Sequence, residues 1–200
     1  MTKTETIWHF ILNKALHEKQ FKLTQAQVAK STGFSLSTVN GAIDKPAKIG
    51  AIRKESKFFV LQDVFKLLYY WGSLRNLSSD IVFQASISID VQTLESSMPD
   101  NTIYACYSAS KYLLKQNAPA DYAKVYVYAE KPALEQLKLR FPQFSAKGNI
   151  NLFVLNKPPH FISGKGHSTL ANTFVDIWNL SDWYAVDYLK ALEEEINGLL

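Results

Sequence analysis

Cysteine is almost missing from this sequence, which contains one copy, Cys106, in 200 residues. A single cysteine excludes an internal disulfide and any zinc cluster that needs several cysteines. Because Cys106 follows the apolar residues 103–105, we expect a buried small side chain rather than a nucleophile.

Long apolar runs are missing as well. No segment approaches the roughly 18 consecutive apolar residues of a membrane span. The N-terminus MTKTETIWHF has neither the apolar run nor the small-residue cleavage site of a signal peptide. We therefore expect a cytoplasmic protein with no membrane partner. Hydrophobic residues still make up 47% of the chain, which is enough for globular cores.

Metal-binding spacing is missing among the four histidines. His9 and His17 are eight residues apart, whereas two ligands on one helical face are usually four apart. His160 and His167 lie in KPPHFISGKGHST, which lacks the GxxxxGK[ST] pattern of phosphate-binding loops. The sequence therefore predicts no metal site and no cofactor.

Positive charge is concentrated in the first part of the chain. Residues 1–76 contain 12 Lys and Arg against 5 Asp and Glu, a net charge of +7. Residues 77–200 contain 10 against 13, a net charge of −3. We therefore predict two domains, 1–76 and 77–200, of which only the first has a surface suited to a polyanion.

The segment TQAQVAKSTGFSLSTVNGAI, residues 24–43, has the pattern of two helices joined by a turn, after a first helix at 6–19. Thr24 is a good N-cap, Gly33 a good helix end, and Ser35 a good N-cap for the next helix. We predict that this later helix turns Leu36, Val39 and Ile43 inward. Because Pro46 lacks an amide hydrogen, we expect the helix to end at Asp44 or Lys45.

The outward face of this helix carries short polar side chains, which suit the edges of bases and the phosphates of duplex DNA. A basic hairpin is predicted at 48–60, and an amphipathic helix that begins after Asp63 could close the domain or pair two chains as a homodimer. The predicted DNA-binding residues are Ser35, Ser37, Thr38, Asn40, Lys45, Lys48, Arg53, Lys54 and Lys57.

The segment TQAQVAKSTGFSLSTVNGAIDKPAKIGAI resembles the winged helix-turn-helix of prokaryotic transcription regulators. The resemblance covers about a third of the chain and implies sequence-specific binding to double-stranded DNA. This sequence departs from the family at Pro46, where such regulators usually have an apolar helical residue.

From residue 77 onward strands and helices alternate. We predict strands at 102–106, 124–129 and 150–155, with helices at 108–116, 132–141 and 182–196. This order is similar to the α/β core of the nucleotidyltransferase superfamily, whose enzymes hold Mg²⁺ with an Asp-x-Asp pair. Tyr126 and Tyr128 stand in those positions here, so the resemblance implies a non-catalytic domain, and we expect no enzymatic activity.

Both parts together predict an α+β protein and resemble the AbiEi-type antitoxins of type IV toxin-antitoxin systems. The segment 175–178, VDIW, is similar to a strand of that family that precedes a long amphipathic helix. The resemblance implies repression of the chain's own operon and a cognate nucleotidyltransferase-like toxin as partner.

Two alternatives remain open at the level of sequence. One is a nucleotidyltransferase-type enzyme with an attached DNA-binding domain, which requires two carboxylates close enough to share a metal ion. The other is a repressor that responds to a small molecule, which predicts an apolar pocket beneath the tyrosine-rich strands.

Overall fold

The structure is a computed structural model that describes residues 1–115, 117–141 and 149–200. It confirms the predicted α+β class, with helices and two small sheets. The chain divides into two compact units, one of Met1–Arg75 with Glu194–Leu200 and the other of Asn76–Glu193. Within the described ranges, no helix has both the length and the apolar character that a bilayer span requires.

The first unit combines helices with a three-stranded antiparallel sheet. Its helices are α1 (Lys3–Glu18), α2 (Gln25–Thr32), α3 (Leu36–Lys48) and α4 (Val64–Leu74). Its strands are β1 (Lys22–Leu23), β2 (Ile52–Lys54) and β3 (Phe59–Leu61), arranged in the order β1-β3-β2.

Local capping explains where α2 begins and ends and where α3 begins. The Thr24 side chain accepts a hydrogen bond from the Gln27 amide, and Gln27 bonds back to Thr24, which forms the predicted capping box. Gly33 ends α2 in the left-handed region at φ 72°, and Ser35 caps α3. The predicted turn between the two helices is therefore confirmed.

The prediction that α3 ends at Asp44 or Lys45 is wrong, because α3 continues through Pro46 to Lys48. Proline removes the amide that would bond to the carbonyl four residues earlier, which belongs to Ala42. The indole Nε1 of Trp8, on α1, donates to that carbonyl at 2.7 Å instead. A side chain 34 positions away thus replaces the missing helical bond.

Leu36 does not face inward as predicted, since 55% of its surface is exposed. The buried stripe of α3 starts one turn later, at Val39. It continues through Ala42, Ile43 and Pro46 at helical spacing. This stripe packs α3 against α1 and α2.

The second unit has a four-stranded sheet in the order β4-β7-β6-β5. Its strands are β4 (Ile81–Ala85), β5 (Ile103–Ala105), β6 (Val125–Ala129) and β7 (Leu152–Asn156). Strands β6 and β7 are parallel, and the other neighbours are antiparallel. The helices are α5 (Val91–Ser96), α6 (Cys106–Leu113), α7 (Lys131–Arg140), α8 (Leu170–Trp178) and the first part of α9 (Ala185–Leu199), whose residues from 194 onward belong to the first unit.

Both faces of the central strand β6 are buried. Val125 and Val127 belong to a core cluster with Leu94 of α5 and Leu137 of α7. The alternate tyrosines point to the opposite face, where Tyr128 bonds to a residue of α8.

The three strands predicted between 102 and 155 are confirmed, with ends that differ by one or two residues. Helix α6 begins two residues before the predicted start and ends at Leu113, earlier than predicted; the predicted last residue, Gln116, lies outside the described residues. The strand predicted at 175–178 is wrong, because these residues belong to α8. All residues of α8 from Leu170 to Ile177 are buried, and a short apolar run does not distinguish a buried helix from a strand.

Candidate nucleic-acid interface

The exposed face of α3 is polar and basic. Ser37, Gly41, Lys45 and Lys48 are exposed at helical spacing, and Asn40 is half-buried beside them. The opposite face holds the buried stripe that anchors the helix. The helix is thus fixed from beneath and presents small and cationic groups to solvent.

Gly41 lies in the interior of α3, where glycine is a poor helix former. A Cβ atom built on Gly41 has no heavy atom within 4 Å beyond its own stretch of helix. Packing within the described chain therefore gives no reason for glycine at this position. A face without side chains at its centre allows another molecule to approach the helix backbone closely.

The hydroxyl groups at the start of α3 form a small network. Ser35 Oγ accepts a hydrogen bond from the Thr38 amide at 3.2 Å. It also lies 2.9 Å from both Ser37 Oγ and Thr38 Oγ1. Ser35 therefore serves first as the N-cap of α3, while the exposed Ser37 presents its hydroxyl to solvent.

The hairpin between β2 and β3 places a four-residue turn, 55–58, beside the basic strand β2. The Glu55 amide donates to the Phe58 carbonyl at 2.8 Å and closes the turn. Lys57 is exposed at the tip. Arg53 Nε lies 3.3 Å from Glu55 Oε1, so a carboxylate partly offsets this cation. The structure thus brings Arg53 and Lys57 to one hairpin, as the sequence predicted.

Lys54 projects toward α3. Its Nζ donates to Asn40 Oδ1 at 2.8 Å and to Asp44 Oδ1 at 2.6 Å. Asn40 Oδ1 also accepts from Gln25 Nε2 at 3.4 Å. Sequence reasoning missed the roles of Asp44 and Gln25, although the spacing of Asn40 and Asp44 indicated that they share one helical face.

Three of the predicted cations have no carboxylate partner in the part of the chain that the structure describes. They lie at the end of α3 and on the hairpin turn, and all are exposed. A cation of this kind is available to phosphate, whereas one paired to a carboxylate must first break that contact. These residues are Lys45, Lys48 and Lys57.

The two positions of β6 that the resemblance to nucleotidyltransferases assigned to carboxylates carry tyrosines. Tyr126 and Tyr128 are buried in β6, and Tyr128 donates to Asp176 Oδ2 at 2.6 Å. Burial raises the pKa of Tyr126 far above its usual value, so the phenol stays neutral. A neutral phenol does not replace a metal-binding carboxylate.

The space beside these strands is occupied by aromatic packing. The ring of Tyr107 lies 4.8 to 6.3 Å from four other tyrosine rings. These four are Tyr122, Tyr126, Tyr184 and Tyr188. Across residues 1–115, 117–141 and 149–200, no three or more His, Cys, Asp or Glu side chains cluster as metal ligands would.

Comparisons of the chain with protein-family models, with curated proteins and with solved structures find no match. The geometry and charge of the described residues therefore carry the functional proposal.

Proposed function

We propose that this chain is a sequence-specific DNA-binding transcription regulator whose first unit is a winged helix-turn-helix. The element order α1-β1-α2-α3-β2-β3 and the sheet order β1-β3-β2 support this architecture. In this proposal α3 enters the major groove, and the turn at 55–58 is the wing that approaches the neighbouring backbone.

The observation that carries the proposal is the exposed face of α3. A helix interior that contains a glycine without an internal packing role has a stability cost of about 0.5 to 1 kcal/mol relative to alanine. Close contact with a duplex offers a reason for that cost, because the major groove is only ~12 Å wide. Ser37 and Asn40 flank this glycine with groups that bond to base edges.

Basic side chains on α3 and on the hairpin fit the phosphates that border a groove. Lys45 and Lys48 lie on the last turns of α3, and Lys57 lies at the tip of the hairpin. Each phosphate contact that releases a counterion strengthens binding in a salt-dependent manner. We infer that these three residues supply the electrostatic part of the affinity.

The second unit is proposed to be a non-catalytic, nucleotidyltransferase-like module that binds a partner, either a second copy or a cognate toxin. Its support is the sequence of strand, helix, strand, helix and strand from β5 to β7, together with the tyrosines on β6. In its finer form the proposal makes the chain an antitoxin-like repressor of its own operon.

Fluorescence anisotropy with two labelled duplexes tests the proposal. One duplex comes from the region upstream of the chain's own gene, and the other is a scrambled duplex of equal composition. We expect tighter binding to the first and loss of this preference in Asn40→Ala, with Asn101→Ala in the second unit as the matched control. Equal affinity of the natural protein for both duplexes, or equal effects of the two variants, contradicts sequence-specific binding through α3.

A further inference from the structure

The contact between Lys54 and Asn40 fixes which atom of the Asn40 amide faces outward. Lysine is only a donor, so the amide atom 2.8 Å from its Nζ is the oxygen. Gln25 Nε2 is a second donor on the same oxygen. The Asn40 nitrogen has no hydrogen-bond partner within the described ranges, and it is the amide atom left for another molecule.

Asp44 holds Lys54 in this position. The Nζ of Lys54 lies 2.6 Å from Asp44 Oδ1, and the two side chains are 33% and 45% exposed. Lys54 therefore has an acceptor on each of two turns of α3, and its charge is balanced by a carboxylate. In this arrangement the cation faces the helix rather than a phosphate.

We propose that Lys54 is a positioning residue that presents Asn40 to the duplex only as a hydrogen-bond donor and contacts no phosphate itself. This inference rests on the proposed function. It changes the role of Lys54, which the sequence placed among the DNA-contacting residues.

A donor-only Asn40 has a consequence for the base that it reads. The bidentate pairing of asparagine with adenine needs the amide oxygen to accept from N6 and the nitrogen to donate to N7. Lys54 and Gln25 together use both acceptor positions of that oxygen, so the pairing is blocked while the two contacts persist. Guanine instead presents two acceptors, N7 and O6, and no donor in the major groove. We therefore expect a G·C pair at the position that Asn40 contacts.

The test combines selection from a pool of random DNA duplexes with a salt titration of the selected duplex. The proteins are the natural chain, Asn40→Ala, Lys54→Met, Lys54→Arg and Lys57→Met. The base contacted by Asn40 is the position whose preference relaxes in Asn40→Ala. Lys54→Arg retains donors for both acceptors and is expected to keep the natural preference.

We expect a G·C pair at that position for the natural chain. Lys54→Met should increase the preference for an A·T pair by roughly fivefold or more, because it frees an acceptor position on Asn40 Oδ1 for the bidentate pairing with adenine. It should leave the slope of log affinity against log salt unchanged, whereas Lys57→Met should flatten that slope by ~0.9.

An A·T pair at that position for the natural chain, a flatter slope in Lys54→Met, or an unchanged preference in Lys54→Met would each overturn the proposal. If Asn40→Ala relaxes no position, Asn40 does not read a base and the proposal is also overturned. Failure of the natural chain to enrich any sequence rejects the proposed function itself, and with it this inference. An enriched site with an A·T pair at that position rejects only the positioning role.

Discussion

Replacing Gly41 with larger residues separates the stability of α3 from its ability to approach DNA. Glycine in a helix interior is about 0.8 to 1 kcal/mol less favourable than alanine. Nothing beyond the local helix lies within 4 Å of a Cβ at this position, so no clash offsets this gain. Gly41→Ala should therefore raise the free energy of unfolding of the first unit by about 1 kcal/mol. Gly41→Leu should raise it by a similar amount, since leucine is nearly as good a helix former.

The same substitutions should weaken DNA binding. A helix with its side chains is about 10 to 12 Å across and nearly fills the major groove. A leucine at position 41 should therefore prevent close approach and weaken binding by about tenfold or more, which corresponds to ~1.4 kcal/mol. Alanine should have a smaller effect. The slope of log affinity against log salt should not change, because no charge is removed.

Urea denaturation and fluorescence anisotropy measure these two effects. Gly198→Ala is the control, because Gly198 is also helical with open space around its Cβ position and lies in the last turn of α9. We expect the control to bind DNA as the natural protein does. If Gly41→Leu is stabilised and still binds with natural affinity, no duplex approaches this face and the reasoning is refuted.

Three further predictions concern the core of the first unit. Burial lowers the pKa of His9 to about 3, so between pH 7.5 and 5 the imidazole takes up a proton in the unfolded chain but not in the folded one. Lowering the pH from 7.5 to 5 should therefore reduce the contribution of His9 to the free energy of unfolding by about 2 kcal/mol. Urea denaturation of a His9→Gln variant should show the loss of that part of the pH dependence. Ile43→Ala should lower the free energy of unfolding by about 2 to 5 kcal/mol, and Leu36→Ala by less than about 0.5 kcal/mol, because only Ile43 is buried. Equal losses in urea denaturation would contradict the observed inward face of α3. Trp8→Phe should lower the free energy of unfolding by about 1 to 3 kcal/mol beyond the effect of lost packing, because the Ala42 carbonyl loses its donor. The loss should be clearly smaller in a Pro46→Ala background, where the backbone amide of residue 46 can donate to that carbonyl. A double-mutant cycle without coupling between positions 8 and 46 would contradict the replacement of the helical bond by Trp8.

Local signals in the sequence predicted the helix boundaries that depend on neighbouring residues. The capping box at Thr24, the left-handed end at Gly33 and the cap at Ser35 each involve residues within four positions. Such interactions are encoded in spacing alone.

Features that depend on distant residues could not be predicted in this way. The length of α3 depends on a donor from Trp8, and no local pattern around Pro46 indicates it. The contact of Lys54 with Asn40 depends on the placement of β2 against α3, which the sequence does not specify. Residues 81–85 and 91–96, which form β4 and α5, were not predicted as elements because their patterns are short.

The salt dependence of binding to one duplex tests the central claim most directly. The slope of log affinity against log salt is measured for the natural chain and for a variant in which three lysines are replaced by glutamine. The three lysines are Lys45, Lys48 and Lys57. If each lysine contacts one phosphate, the slope should become flatter by ~2.7, which is ~0.9 for each lost contact. An identical slope for the two proteins, or a natural protein whose binding does not depend on salt, would contradict the account.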